Sequence, residues 1–114
     1  MHCLRDAGFK EFVEDQFGDA WPITCRPMFG GYGLYHDGVF FGIIYQGRLY
    51  FRTTPTTRDA YLTRGMQPFC PRGTQTLRTY YEVPADILED RDALVAWARQ
   101  AVRGRRDLSV GRRT

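Results

Sequence analysis

Residues able to do covalent or acid–base chemistry are few in this chain and widely scattered. Cys25, Cys70 and His36 are the cysteine and histidine side chains that fall in strand-like segments, and no signature motif surrounds them. A nucleophile needs an orienting base held beside it, whereas a free cysteine on a strand ordinarily acts as a small buried hydrophobe, and Cys25 and Cys70 read that way. Cys3 makes the cysteine count odd, with no Cys-x-x-Cys unit, so a disulfide framework is not expected. With His2 and His36 as the only histidines, no zinc-ligand spacing appears either. The carboxylates Glu14, Asp15, Asp86, Glu89, Asp90 and Asp92 sit on a helix's polar face or at a helix start, where the dipole favours negative charge. Gly30, Gly31 and Gly33 lead into a strand; a phosphate cradle needs a helix N-terminus there, so they read as bulge or turn glycines. No catalytic residue, metal ligand or cofactor site is assigned, and the chain is not expected to be an enzyme.

Two further groupings point to binding. Arg103, Arg105, Arg106, Arg112 and Arg113 could touch phosphate backbones without sequence preference, or could be a solvated chain end. Arg26, Tyr81 and Glu82 would mark a small-ligand site if a pocket joined them, although Arg and Glu on strands also form cross-strand pairs.

The chain that must position these groups has 114 residues, room for one core. Hydrophobic residues make up 43% and charged residues 25%, which excludes a disordered chain. The aromatic share of 15% favours strands and ring-mediated recognition. Net charge is +3, but residues 1–102 carry 11 basic and 12 acidic side chains, while residues 103–114 carry five Arg and one Asp. The basicity therefore belongs to the tail, and a broad basic nucleic-acid face on the folded part is not supported. Without a signal-peptide core or a bilayer-length apolar run, a cytoplasmic location with no membrane contact is expected.

Phe9, Phe12, Val13 and Phe17 recur at helical spacing and predict a first helix ending near Gly18. Asp37-Gly38 and Gln46-Gly47 are turn dipeptides between aromatic and β-branched runs, predicting a three-stranded meander over 23–36, 39–46 and 48–53. Thr54-Pro55 predicts a helix start and Gly65 its end. Two strands follow, over 66–70 and 76–83, joined by Pro71-Arg72-Gly73 and closed by Pro84. A last helix from the Asp90 N-cap to before Gly104 buries Leu94, Trp97, Ala98, Ala101 and Val102, and residues 104–114 are expected to be a flexible tail. The expected fold is one α+β domain over residues 1–103, α-β(3)-α-β(2)-α, with a mainly antiparallel sheet packed on helices.

If both turns are two-residue hairpins, residue 36 faces 39 and residue 45 faces 48. Tyr35, Phe40, Ile44, Leu49 and Phe51 then share a face that packs on the helices. Leu34, His36, Val39, Phe41, Ile43, Tyr45, Arg48, Tyr50 and Arg52 share the other, rich in the Tyr and Arg types common at interfaces. Leu34, His36, Phe41, Ile43, Tyr45, Arg48, Tyr50 and Arg52 are therefore the candidate partner or homodimer face. The alternative is a strand apolar on both faces because helices or the tail cover both. As a surface pair, Tyr50 and Arg52 are expected to be replaceable by Ala without change in melting temperature.

The run Arg26-Pro-Met-Phe-Gly-Gly-Tyr-Gly-Leu-Tyr35 resembles the N-terminal domain of the TfoX/Sxy competence-regulator family. Asp37-Gly38, Phe41-Gly42, Gly47-Arg48-Leu49-Tyr50-Phe51, Thr57-Arg58, Pro68-Phe69, Tyr80-Tyr81-Glu82-Val83-Pro84 and Trp97-Ala98-Arg99 resemble it in the same order. The resemblance runs from about Phe9 to Val102 and implies a secretion-chaperone-like arrangement in which dimers are common. Full-length members carry a second, C-terminal domain and act with the cyclic-AMP receptor protein on competence genes. This chain is expected to be a stand-alone N-terminal domain, a non-enzymatic module that binds a protein, with the transcription machinery as the implied setting. The family brings no catalytic residue and no cofactor.

Overall fold

The computed structural model describes residues 2–28, 30–70 and 77–113, with side chains described for 8–28, 30–70 and 79–104. In chain order the elements are α1 (His2–Phe17), β1 (Thr24–Met28), β2 (Gly31–His36), β3 (Val39–Tyr45), β4 (Arg48–Arg52), α2 (Pro55–Thr63), β5 (Pro68–Phe69), β6 (Leu77–Glu82), α3 (Ala85–Leu88) and α4 (Arg91–Arg113). The strands form a single sheet in the order β1-β2-β3-β4-β6-β5, and each neighbouring pair is antiparallel. The α+β class and the antiparallel sheet agree with the sequence reading.

Two details of element order differ. The expected first strand is two strands, because Gly30 at φ 84° reverses the chain between β1 and β2. Gly31 then lies so close to β3 that a β-carbon on it would run into the Ile44 carbonyl oxygen, so only glycine fits the start of β2. Pro84, read as the end of the sheet, occupies the N-cap position of the short α3. The connection at Pro71-Arg72-Gly73 lies outside the described residues.

Both hairpin turns are two-residue turns, with Asp37 and Gly38 at φ 52° and 78° and Gln46 and Gly47 at φ 49° and 75°. Two successive left-handed residues match the right-handed twist of the strands they join. The ladder confirms the first pairs, His36 with Val39, Tyr35 with Phe40, and Tyr45 with Arg48. It then shifts: Leu34 pairs with Gly42, leaving Phe41 as an extra residue in β3. This β-bulge turns the strand by one residue, so the face assignments of Leu34, Tyr35, His36, Val39, Phe40 and Phe41 are exchanged, while those of Ile43, Ile44 and Tyr45 beyond the bulge stand.

The helix-side core gathers Val13 and Phe17 from α1, Tyr61 from α2, Ile87 from α3, and Leu94, Ala98, Ala101 and Val102 from α4. Leu34, Phe41, Ile44, Leu49, Phe51 and Tyr81 meet them from the sheet. Burial of each large apolar side chain here is worth about 1.5–3 kcal/mol. In α1 the predicted stripe holds except at Phe12, which is 41% exposed. Gln16, buried on the inner side of α1, donates from its amide to the Leu88 carbonyl at 2.9 Å.

Thr54 caps α2 as expected: its hydroxyl accepts from the Thr57 amide, and the Thr57 hydroxyl accepts from the Thr54 amide. Gly65, at φ 74°, follows the C-cap. Asp90 caps α4 by accepting from the Ala93 amide at 3.1 Å. The expected end before Gly104 is not observed, since α4 continues to Arg113. Gly104 is instead a buried contact point, where a β-carbon would come 2.5 Å from Thr54 Cγ2. Its missing side chain lets α4 approach the α2 cap.

Candidate recognition face of the sheet

All four helices contribute to the core on one side of the sheet, and the second cluster on the other side is built from strand residues alone: Ile43, Tyr50, Phe69 and Tyr80, with Phe40 and Tyr45 packed against it. Pairing explains the membership. Ile43 faces Tyr50, Tyr50 faces Glu82, and Arg52 faces Tyr80, so these side chains share the side away from the helices. Phe69 lies over the β4 end of this face, 4.9 Å from the Tyr50 ring and 5.4 Å from that of Tyr45.

Beyond Phe69 a row of rings crosses the sheet. Tyr35 lies 5.3 Å from Phe40, and Phe40 lies 5.6 Å from Tyr80. A guanidinium sits at each end: Arg26 of β1 is 5.3 Å above the Tyr35 ring, and Arg52 of β4 is 5.9 Å above that of Tyr80. A ring face at this distance attracts the cation. Arg48 is different, because Glu82 receives its guanidinium at 2.9 Å. Burial, and then the Glu82 charge, hold the Tyr50 hydroxyl above its ordinary pKa, so it stays neutral.

The sequence-predicted face is thus divided between the two sides. Ile43, Tyr45, Arg48, Tyr50 and Arg52 do share the second face. Leu34 and Phe41 do not: both are fully buried in the helix-side core, moved there by the bulge. His36 also lies on the helix side, stacked on Trp21 with ring centroids 3.8 Å apart and planes 5° from parallel. Its Nδ1 donates to the Pro22 carbonyl at 2.8 Å. Conversely Tyr35 and Phe40, expected against the helices, lie on the second face. Tyr50 is only 8% exposed, so the expectation that it stands at the surface is corrected: Phe69 closes over it.

The residues that complete the row, Arg26, Tyr35, Phe40 and Tyr80, were outside the predicted face. An extra residue in an uninterrupted run such as Val39-Phe40-Phe41-Gly42-Ile43-Ile44 has no alternation to betray it, and Gly42 is the one local mark.

Arg26, Tyr81 and Glu82 are not brought together. Tyr81 points to the helix side, with its ring 6.1 Å from that of Tyr61, while Glu82 points to the other. Arg26 is on β1, four strands from β6, on the order of 19 Å at the usual strand spacing. Cys25, half-buried, has its thiol pushed up to about 12 by burial and then by the charge of Glu14, so it remains a protonated, unreactive thiol. Arg103 is exposed and lines a shallow groove of about 260 Å³ with Thr54, Thr56, Thr57, Gln100 and Gly104. Arg105, Arg106, Arg112 and Arg113 lie on α4, their side chains outside those described. Among the described residues, no group of three or more His, Cys, Asp or Glu could hold a metal ion, and no helix is long and apolar enough to cross a membrane.

The arrangement defines an α+β domain with one sheet face buried under helices and the other bearing rings bordered by guanidinium groups. The chain belongs to the TfoX N-terminal domain family, whose model matches residues 15–104. No curated protein matches it.

Proposed function

We propose that this domain is a non-catalytic recognition module that docks a partner protein on the second sheet face, as an accessory regulator in the manner the TfoX resemblance implies. The observation that carries this reading is the row Tyr35–Phe40–Tyr80 with Arg26 and Arg52 at its ends, on the side of the sheet to which no described helix side chain contributes. Aromatic and Arg side chains supply large contact area with few rotatable bonds, which is why they dominate binding energy at interfaces. Phe40 and Tyr35 are half-buried, each offering part of its ring to a partner without leaving the sheet.

The test is in-cell photo-crosslinking with Phe40→p-benzoylphenylalanine, compared with the same probe at Ala96, exposed on α4. A discrete protein adduct is expected from position 40 and not from position 96. Equal labelling from both sites, or adducts to nucleic acid only, would overturn the proposal.

A further inference from the structure

Among the described residues, seven cations have a side-chain partner nearby, and they are of two kinds. Lys10 has Glu14, Arg48 has Glu82, Arg64 has Asp86 and Arg91 has Asp15. Arg58 instead reaches the Thr53 hydroxyl and the Tyr81 ring. Arg26 and Arg52 have, among the described residues, a tyrosine ring and no carboxylate. Arg52 goes further: its Nε is buried and, among the described residues, has no acceptor. A buried donor on a charged group carries a desolvation cost when it is unpaired, which a nearby negative charge would offset. On the described part of this face three guanidinium groups, Arg26, Arg48 and Arg52, stand against the one carboxylate of Glu82. The face is therefore electropositive at both ends of an apolar row.

We infer, on the reading of this face as a docking surface, that its partner presents an acidic extended segment whose carboxylates are received by Arg26 and Arg52, with an apolar side chain between them set against Phe40. Charge and shape set the occupant's chemistry. A guanidinium is a planar fork of N–H donors that grips a carboxylate through two parallel hydrogen bonds. Tyr80 is buried and Arg26 lies over the Tyr35 ring, so nucleobases, which need bare ring faces, are disfavoured.

The spacing fixes the pattern. Arg26 and Arg52 are on β1 and β4, three strand spacings apart, roughly 15 Å. In an extended peptide, residues i, i+2 and i+4 share a face and span about 13 Å, leaving the side chains to cover the remainder. The recognised sequence is then acidic-x-apolar-x-acidic.

The experiment measures fluorescence anisotropy of the full chain with a labelled peptide containing Glu-Ser-Leu-Ser-Glu, a second with both Glu replaced by Gln, and a labelled single-stranded DNA. Saturable binding of the Glu peptide that weakens with salt, and falls by about tenfold or more for the Gln peptide and for Arg26→Gln, is the expected result, since each change leaves a desolvated charge without its partner. The Gln peptide alters the ligand alone, so its outcome does not depend on how a variant folds. Equal binding of both peptides, no binding of either, or preference for DNA would overturn the inference. A protein adduct at position 40 that survives Arg26→Gln would sink the acidic segment while leaving the docking face standing; absence of both the adduct and peptide binding with Arg26 intact would sink both.

Discussion

Leu34 stands opposite Gly42, one residue beyond the Phe41 that a two-residue turn at Asp37-Gly38 would place there. From this single slip it follows that Phe41 is core and Phe40 is not. Phe41 is fully buried, 5.4 Å from Trp21 and 5.6 Å from Phe51, whereas Phe40 is half-buried between Tyr35 and Tyr80.

Phe41→Ala is accordingly predicted to lose about 3–5 kcal/mol of stability, as full core truncations do. Phe40→Ala should lose about 1–2 kcal/mol, in proportion to its smaller buried area. Urea unfolding midpoints of the two variants check this, and equal losses would contradict the bulge.

Gly104→Ala should lower stability although alanine is the better helix former by about 1 kcal/mol. The added carbon meets Thr54 Cγ2, and Thr54 cannot rotate away without giving up the α2 cap. Overpacking of this kind costs about 1–3 kcal/mol. Thr54→Ser keeps the capping oxygen and removes the obstructing methyl, so the double variant should melt above Gly104→Ala alone. Thermal unfolding of the three proteins decides it.

Tyr50→Ala should destabilise by about 3 kcal/mol, because Phe69 and Ile43 pack on its ring. Arg48→Ala, on the exposed end of the same strand, should change stability by under about 1 kcal/mol. Chemical denaturation separates the two, and a Tyr50 variant with an unshifted midpoint would show that the ring is not sealed.

The Cys25 thiol, raised from 9.0 to about 12 by burial and the Glu14 charge, gives a pH dependence of definite sign. The folded state holds this proton more tightly than the unfolded one, so its contribution is complete below pH 9.0 and declines as pH rises toward 12. Stability curves of the wild type and Cys25→Ser should therefore converge over that range. The buried tyrosines titrate alike in both proteins and drop out of the comparison. In alkylation at neutral pH, exposed Cys70 should react before Cys25.

Much of this fold could be read from local chemistry. Asp37-Gly38, Gln46-Gly47, Thr54-Pro55, Gly65 and Asp90 each fix a turn or cap through a backbone requirement confined to a few residues, and each is found where the sequence puts it. Faces were less legible, because they depend on counting along a strand. One inserted residue at Phe41 inverts the count, and where both faces are apolar neither side chain chemistry nor period reveals the insertion. Strand β4, which has no bulge and alternates Arg48, Leu49, Tyr50, Phe51, Arg52, was sorted correctly. Gly104 shows the opposite limit. A glycine near a helix end suggests a stop, and only the proximity of Thr54, fifty residues away, shows that it marks a close crossing.

The outermost strand carries one more implication. Pro27 interrupts β1, the flank of the sheet with no neighbour beyond it among the described residues, and proline contributes no amide hydrogen to whatever would align there. A further copy of the chain laid along this flank would find a break in the row of donors it needs. Growth by strand accretion, the first step toward fibrous aggregates, is thereby hindered at that side of the sheet.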